Sequence, residues 1–372
     1  MKEIQFKKYL FDILKILFIS IFFFLLIDLI LGKFIYKKFL RKDFMDTYQD
    51  IYIKNSYDHT LKKELDVLYG NIHYRLCTDK NGFRTFCDNK LNDKKSYKLA
   101  IIGDSFTEGV GLSYEDTFVG IFSKKIGIEK VANLGVSSYS PSIYYLKMRD
   151  LLSKNYKFDE LIVFVDLSDL VDETLCYSFL NNQVKRRENF SSCINAGIEG
   201  FDESLKVFFK NNLRLSFEIF LLTKNILINK SIIEKRPTNF QLNTLRSKWS
   251  YQYDQKKYNN YSFEEAEKLM TDKMMLLYSL LKKNNISLSI AVYPWPSTIY
   301  YEEANNRNYF IWKKFCENKC KKFYNFNNIF FELLEKSSKN KIIEDYFING
   351  DVHYNYNGSK LIANELYKKF KN

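Results

Sequence analysis

The sequence predicts an α/β domain in which helices cover both faces of a central parallel sheet. From residue 97 to the C-terminus, short apolar runs alternate with stretches of helical character. Such runs are typical of parallel strands, because a strand buried on both faces needs apolar residues throughout. The predicted strands lie at 99–102, 130–135, 161–165 and 287–293. The predicted helices lie at 115–126, 143–152 and 357–370.

The composition excludes several classes of protein. The 372 residues suffice for two to three domains, and 46% hydrophobic with 17% aromatic residues excludes wholesale disorder. A net charge of +13 comes without a clustered basic face, so we predict no nucleic-acid partner. The chain has only three histidines, His59, His73 and His353, which excludes most His-rich metal enzymes. We expect neither a metal nor an organic cofactor.

An apolar segment of 17 residues, 16–32, predicts a membrane-spanning helix at the lower limit of length. No small-residue cleavage site follows it, so we predict an uncleaved signal anchor. A buried core helix is the less favoured alternative, because the segment is apolar on every side. We expect Asp28, near one end, to reach the membrane interface. Basic residues flank the segment on both sides, so charge does not determine its orientation.

The six cysteines favour an oxidising compartment. They fall into three sequence-local pairs, which suit disulfides: Cys77/Cys87, Cys176/Cys193 and Cys316/Cys320. Unpaired, partly buried thiols are an equally weighted alternative, and zinc is less favoured because no CxxC occurs. We therefore expect a single-pass protein of the cell inner membrane with its large domain on the periplasmic side.

The chain divides into three predicted regions. Residues 1–33 form the cytoplasmic N-terminus and the anchor, 34–95 a stalk with a small β-rich lead-in, and 96–372 the α/β domain. A long, charged and aromatic stretch at about 176–254 interrupts the alternation, and we interpret it as an inserted helical subdomain. Charged residues within it, such as Arg214 and Glu218, argue against a second membrane span.

The first candidate site segment is Gly103-Asp104-Ser105, which directly follows the first predicted strand. In a parallel sheet, ligands bind beyond the carboxyl ends of the strands. A serine there can present its hydroxyl at the start of a helix, whose dipole assists at a reacting centre. The alternative is an ordinary turn in which Ser105 caps the helix.

Three later strands are also followed by candidate residues. Gly135 ends the second strand and can bring a backbone N–H close to a substrate oxygen. When this segment is considered by itself, an ordinary turn at the end of a strand is the favoured interpretation. Ser168 and Asp169 follow the third strand, either as site residues or as caps of the next helix. Trp295 follows the fourth strand and would either stack on a sugar ring or belong to the core.

Asp351 and His353 lie two residues apart in a loop rich in Gly and Asn, just before the predicted C-terminal helix. A histidine that acts as a general base needs a carboxylate to fix its tautomer. An isolated histidine is more often structural, but the neighbouring Asp favours catalysis. His353 is the only imidazole of the predicted domain, since the other two histidines precede it.

Together these segments resemble the SGNH/GDSL hydrolase superfamily, whose four blocks occur here in order. The first block, IIGDSFTEGVG, and the last, DVHYNYNGSKLIA, are specific, whereas the two middle blocks are weaker. The resemblance covers 97–372 apart from much of the insert. It implies a three-layer α/β/α, flavodoxin-like fold. It also implies Ser105 as the nucleophile, His353 as the base and Asp351 as the residue that orients it.

The resemblance further implies an oxyanion hole lined by the N–H groups of Ser105 and Gly135. Ser168 stands where the superfamily usually has an Asn, so its hydroxyl would replace an amide donor. The remaining candidates for substrate binding are Asp104, Asp169 and Trp295. Asp351 precedes the histidine by two residues rather than three, a variant found among membrane-linked glycan acylation proteins.

Three functional hypotheses follow from the resemblance. The first is a serine-dependent esterase that removes acyl groups from an envelope carbohydrate or lipid. The second is an O-acyltransferase, or the periplasmic partner of a membrane acyltransferase, that modifies a surface polysaccharide. The third is a non-catalytic glycan-binding protein with a decayed core, and the substitution at Ser168 is its only support.

Overall fold

The computed structural model describes residues 2–36, 44–45, 51–70, 74–187, 208–209, 211–229, 237–242, 249 and 261–371. The chain forms two compact units. The smaller unit comprises Met1–Phe44 and Ile198–Lys235, and the larger comprises Met45–Gly197 and Arg236–Asn372. The domain boundaries drawn from the sequence stay predictions.

The larger unit is built on a five-stranded parallel sheet, which confirms the predicted α/β class. Its strands are β6 (Ser96–Ile102), β7 (Val131–Asn133), β8 (Lys157–Val165), β11 (Ser287–Val292) and β12 (Lys322–Asn325). They lie in the order β7-β6-β8-β11-β12. Counted among these five alone, the order is 2-1-3-4-5, the flavodoxin-like arrangement. The sequence predicted all of these strands except β12.

The register of the sheet brings the strand ends of the predicted site to one edge. Leu99 of β6 lies opposite Val131 of β7 and Glu160 of β8, and Ser287 of β11 also lies opposite Glu160. All contacts in this sheet are parallel, so the four carboxyl ends point the same way. The strand order reverses between β6 and β8, which is the position where open α/β sheets bind ligands.

Helices pack on both faces of this sheet. In the larger unit they are α3 (Ser105–Glu108), α4 (Phe118–Ile126), α5 (Pro141–Ser153), α6 (Asp169–Val171), α8 (Asn239–Leu242), α9 (Phe263–Lys283), α10 (Pro296–Tyr301), α11 (Arg307–Cys316), α12 (Asn327–Leu333), α13 (Lys339–Tyr346) and α14 (Tyr356–Lys371). Two apolar cores result, one on each face. The predicted three-layer architecture is therefore present.

Helix α9 shows how local sequence signals place these elements. Ser262 accepts a hydrogen bond from the N–H of Glu265, and the Glu265 carboxylate accepts one from the N–H of Ser262. This reciprocal capping box satisfies donors that the first helical turn leaves unpaired. Met270, Met274 and Leu277 follow at helical spacing and are fully buried in the core.

Residues between the anchor and the sheet form short antiparallel strands. These strands are β1 (Phe44–Met45), β2 (Tyr52–Asn55), β3 (Asp58–Leu61), β4 (Asp66–Tyr69) and β5 (Tyr74–Cys77). β2 pairs with β3, and β4 pairs with β5. A second hairpin, β9 (Tyr177–Leu180) and β10 (Gln183–Arg186), follows the third strand of the main sheet. The β-rich lead-in expected from the sequence thus belongs to the larger unit, apart from Phe44 of β1.

The disulfide prediction is confirmed at two sites. Cys77 is bonded to Cys87, and Cys316 to Cys320. Cys176 is also disulfide-bonded, whereas Cys193 lies outside the described residues. The oxidising compartment stays a prediction that these bonds support.

The smaller unit contains the predicted anchor. Its described helices are α1 (Lys2–Ile27), α2 (Lys33–Ile35) and α7 (Arg214–Asn229), and a π-helical turn, Asp28–Gly32, joins the first two. The 25 residues Phe11–Ile35 have a mean hydropathy of 2.7, which is compatible with a membrane anchor or a signal sequence. The inner membrane and the periplasmic orientation stay predictions.

Candidate active site

Ser105 is the first residue of α3 and lies directly beyond the carboxyl end of β6. The turn before it is tight: a Cβ on Gly103 would lie 2.2 Å from the Thr107 hydroxyl and 2.8 Å from the Phe164 carbonyl. Asp104 caps the helix, because its carboxylate accepts a hydrogen bond of 3.0 Å from the N–H of Phe106. The sequence predicted this turn, and the close packing explains why it needs a glycine.

Arg84 holds the other end of α3. Its guanidinium is buried and donates hydrogen bonds to the carbonyls of Glu108, Gly109 and Leu112, the first two at 2.6 and 2.8 Å. The last carbonyls of a helix have no partner within the helix and carry partial negative charge, so a cation stabilises them. The short helix that carries Ser105 is therefore fixed at both ends.

His353 and Asp351 reach Ser105 from the loop before α14. His353 Nε2 lies 2.7 Å from Ser105 Oγ, and His353 Nδ1 lies 2.5 Å from Asp351 Oδ1. The same carboxylate oxygen accepts a bond of 3.1 Å from the His353 N–H. Burial alone would raise the pKa of Asp351. The charge of His353 and the hydrogen bonds from His353 and the backbone outweigh burial and hold that pKa below its usual value.

The chain also fixes the loop that carries these two residues. Gln241 of α8 donates from its side-chain amide to the carbonyls of Asp351 and Ile348, at 2.9 and 3.3 Å. Asn355 donates to two further carbonyls, those of Asp345 and Phe347. The positions of Asp351 and His353 therefore do not depend on the loop backbone alone.

The loop after β7 packs tightly against α3. A Cβ on Gly135 would lie 2.7 Å from the N–H nitrogen of Glu108, so only glycine fits there. The N–H of Gly135 donates to the side-chain oxygen of Asn133 at 2.9 Å. The amide of Asn133 donates in turn to the carbonyl of Thr107, which ties β7 to α3.

Side chains from three other elements hold the carbonyls of this loop. Lys147 of α5 donates to the Leu134 carbonyl at 2.8 Å, and Tyr177 of β9 donates to the Ser138 carbonyl at 2.8 Å. His59 of β3 contacts the Ser137 carbonyl through Nε2 at 2.8 Å. Burial lowers the pKa of Lys147 to about 7, against the raising effect of nearby carboxylates.

The β2–β3 hairpin makes a second contact with this loop through a buried carboxylate. Glu108, the last residue of α3, accepts hydrogen bonds from the Tyr52 hydroxyl and from the N–H and hydroxyl of Ser137, all between 2.7 and 3.0 Å. Asp58 binds His59 Nδ1 at 2.6 Å and forms an ion pair with Arg186. The hairpin, α3 and the loop after β7 therefore form one hydrogen-bonded assembly.

A cluster of buried acids lies next to Asp104. Tyr293 Oη is 3.0 Å from Asp104 Oδ1 and 3.1 Å from Asp166 Oδ2, and Trp295 Nε1 donates to Asp166 Oδ2 at 2.9 Å. Asp169 accepts a bond of 3.2 Å from the Asp166 N–H. Burial, followed by repulsion from Asp166, raises the pKa of Asp104 and of Asp169.

The structure brings Ser105, His353 and Asp351 together and places Gly135 against the nucleophile helix. Four other candidates are almost fully buried beside them: Ser168, Asp104, Asp169 and Trp295. The hydroxyl and N–H of Ser168 both donate to Asp166 Oδ1 at 2.8 Å. Trp295 is 3% exposed and lies in the core, one of the two positions that the sequence left open.

Sequence reasoning missed Arg84, His59 and Lys147. The first two lie in the lead-in, where no motif marks them. Lys147 could have been found, because it lies on the apolar stripe of α5 between Ile143 and Leu151, where a charged residue is unusual. One cluster among the described residues has metal-ligand spacing, Asp66 with Cys77 and Cys87, but its two sulfurs are joined in a disulfide.

Comparisons with known proteins give fold-level likenesses only. No protein-family model matches the chain, and no curated protein matches it. Among solved structures it is similar to the esterase EstA from Pseudoalteromonas sp., with 12% identity, a TM-score of 0.37, and coverage of 75% of this chain and 97% of that one. It is also similar to a catalytic mutant of the acetylxylan esterase Axe2 from Geobacillus stearothermophilus, with 11% identity, a TM-score of 0.38, and coverage of 75% and 95%.

A third similar structure is a GDSL-like lipase from Bacteroides thetaiotaomicron, with 12% identity, a TM-score of 0.36, and coverage of 74% of this chain and 88% of that one. At such identities and TM-scores, these likenesses carry no argument about activity. The function of this chain has to be argued from its own site.

Proposed function

We propose that the chain is a serine-dependent ester hydrolase of the SGNH type. One observation carries the proposal: Ser105, His353 and Asp351 form a continuous hydrogen-bond network. Ser105 Oγ lies 2.7 Å from His353 Nε2, and His353 Nδ1 lies 2.5 Å from Asp351 Oδ1. Two segments distant in sequence, α3 and the loop before α14, supply a nucleophile, a base and an orienting carboxylate in the order that acyl transfer requires. The Ser105 and His353 side chains are both partly exposed, so an ester can reach them.

The geometry assigns the protons of the reaction. Asp351 accepts the Nδ1 proton, which leaves the lone pair of Nε2 facing the Ser105 hydroxyl. Ser105 Oγ attacks the ester carbonyl carbon while Nε2 takes its proton, and the imidazolium then protonates the departing alcohol. Water attacks the acyl-enzyme, gives a proton to Nε2 and releases the acid, and Ser105 regains its proton.

The oxyanion that forms in both steps needs nearby donors. The N–H groups of Ser105 and Gly135 and the hydroxyl of Ser168 are the proposed donors. Two of them have acceptors in the free protein, since Gly135 donates to Asn133 and Ser168 to Asp166. The oxyanion therefore competes with a neutral amide oxygen for the Gly135 N–H, where its charge favours the exchange, and with a carboxylate for the Ser168 hydroxyl.

The proposed substrate is an acylated carbohydrate or lipid of the cell envelope. The predicted anchor and the two disulfides support an extracytoplasmic location, where such esters occur. Transfer of the acyl group to a sugar hydroxyl instead of water would use the same residues and the same acyl-enzyme.

A fluorophosphonate probe and a chromogenic acetate ester test the proposal on the full chain in detergent. We expect covalent labelling and turnover, both abolished in Ser105→Ala, and loss of turnover in His353→Ala. Ser153→Ala is the matched control, because Ser153 is an exposed serine whose hydroxyl donates to its own helix. If the wild-type chain neither reacts with the probe nor turns over the ester, the proposal is wrong.

A further inference from the structure

Helix α7 of the smaller unit presents an apolar face that the described residues leave uncovered. Four of its side chains are more than half exposed: Ile219 53%, Phe220 61%, Leu222 62% and Ile226 54%. Ile219, Leu222 and Ile226 recur at helical spacing and share one side of the helix, and Phe220 lies at the edge of that side, about 100° around the axis from Ile219. Thr223, which lies between Leu222 and Ile226, donates its hydroxyl to the Ile219 carbonyl at 2.8 Å.

The described charged groups of α7 lie away from this face. Arg214 is 2% exposed, forms an ion pair of 2.8 Å with Glu218, and lies over the ring of Tyr36 at 4.4 Å. Phe217, on the same side, is buried. From the sequence we expected the charged residues to argue against a second membrane span. The ion pair of Arg214 and Glu218 is turned into the unit rather than outward, so these two charges do not interrupt the exposed apolar face.

Asp28 joins α7 to the predicted membrane helix. Its carboxylate accepts the N–H groups of Leu215 and Ser216 at 2.9 and 2.7 Å, so it caps the first turn of α7. Asp28 is 1% exposed, and the expectation that it reaches the interface was therefore wrong. The lack of a side chain at Gly32 makes space for the Asp28 carboxylate, because a Cβ at residue 32 would lie 1.7 Å from an Asp28 oxygen.

This capping places the start of α7 beside an apolar span. Asp28 lies inside Phe11–Ile35, the 25-residue stretch with a mean hydropathy of 2.7. A carboxylate at that position is costly in lipid unless donors satisfy it, and the first turn of α7 supplies two. The exposed side chains of α1, such as Phe22, and those of α7 therefore belong to two helices of one unit that are joined at Asp28.

We propose that α7 is a second membrane-embedded element, whose face formed by Ile219, Phe220, Leu222 and Ile226 contacts the acyl chains of the bilayer that holds α1. Its 16 residues extend about 24 Å, less than the roughly 30 Å of a hydrocarbon core, so it does not cross the membrane. At its start the N–H groups of Leu215 and Ser216, which a helix leaves unpaired, are bonded to Asp28, as lipid requires. The inference rests on the proposed anchoring of α1.

Photo-crosslinking to lipid tests this inference with the full chain in vesicles. p-Benzoylphenylalanine is introduced singly in place of Phe220, Phe22 or Phe310. The vesicles consist of phosphatidylethanolamine and phosphatidylglycerol, with a trace of an alkyne-tailed phosphatidylcholine as the probe. Phe310 is the matched control, because it is a phenylalanine of the larger unit with 58% exposure beside charged residues. Thermal unfolding of each variant checks that it is folded.

We expect lipid adducts at positions 22 and 220 in comparable yield, and only background at 310. Adducts at 22 alone overturn the inference and leave the anchor intact, whereas no adduct at 22 overturns both. Equal labelling at 220 and 310, or a protein–protein crosslink at 220 in place of the lipid adduct, also overturns it. Ester turnover of the same samples reports separately on the proposed hydrolase, since it does not depend on lipid contact.

Discussion

The substitution Asp351→Asn tests the orientation of His353 directly. Asp351 Oδ1 accepts from both the N–H and Nδ1 of His353, at 3.1 and 2.5 Å. An Asn of the same shape loses the negative charge, and if its NH₂ group faces Nδ1 it imposes the wrong tautomer. An imidazolium and a carboxylate about 4 Å apart attract each other by about 4 kcal/mol at an effective dielectric constant near 20.

That attraction corresponds to a loss of about 10³-fold in kcat, at about 1.36 kcal/mol per tenfold change. A wrong tautomer raises the loss to about 10⁴-fold, as found for the equivalent change in a serine protease. KM should change little, because Asp351 does not touch the substrate. Initial rates with a chromogenic ester, together with the rate of fluorophosphonate labelling, measure both effects.

Asp345→Asn provides the control for this experiment. Asp345 lies in α13, close to the same loop, and forms an ion pair with Lys341 at the surface. The chemical change is identical, but no catalytic group is involved, so we expect wild-type rates. If Asp351→Asn retains activity within about tenfold of wild type, the assigned role of the carboxylate is refuted.

Three further predictions concern the groups around the nucleophile. Arg84→Met should lower the free energy of unfolding by about 3 kcal/mol in denaturant titrations, because it leaves buried carbonyls of α3 unpaired. The control Arg75→Met, at an exposed arginine, should change the free energy of unfolding little. Equal effects of the two substitutions would contradict the role of Arg84 in holding α3. Ser168→Ala should lower kcat about 100-fold if its hydroxyl reaches the oxyanion, and an unchanged kcat would exclude that donor. The pKa of Lys147 is lowered to about 7, so between about pH 7 and the usual pKa of a lysine the folded chain binds fewer protons than the unfolded chain. The free energy of unfolding of the wild type, measured relative to Lys147→Met, should therefore rise by up to several kcal/mol as the pH increases over that range. Parallel curves of stability against pH for the two proteins would contradict the shift.

The sequence predicted the parts of this fold that local patterns encode. The strand runs and the specific first and last blocks located β6, Ser105 and the Asp351–His353 pair, because a buried strand and a catalytic loop each leave a contiguous pattern. β12 was missed, since only Tyr324 and Asn325 of its four residues are fully buried and the strand has no continuous apolar run. Short edge strands are specified by their partner more than by their own residues.

Groups that act through long-range contacts could not be predicted from the sequence. Arg84 lies 21 residues and His59 lies 46 residues before Ser105 in the sequence. Only the folded structure shows which backbone carbonyls these two side chains contact. The burial of Asp28 was missed for the same reason, because its partners at Leu215 and Ser216 are 187 and 188 residues away.

The contact between the β2–β3 hairpin and the loop after β7 decides where the chain can be shortened. A shortened chain beginning at residue 96, where the main sheet starts, would lack Tyr52, His59 and Arg84. The Glu108 carboxylate would lose the hydrogen bond from the buried Tyr52 hydroxyl. The carbonyls at the end of α3 would lose the hydrogen bonds that the Arg84 guanidinium donates. Removal of Met1–Phe44 together with Ile198–Lys235, the two segments of the smaller unit, keeps these contacts and is the truncation to choose for crystallisation or solution kinetics.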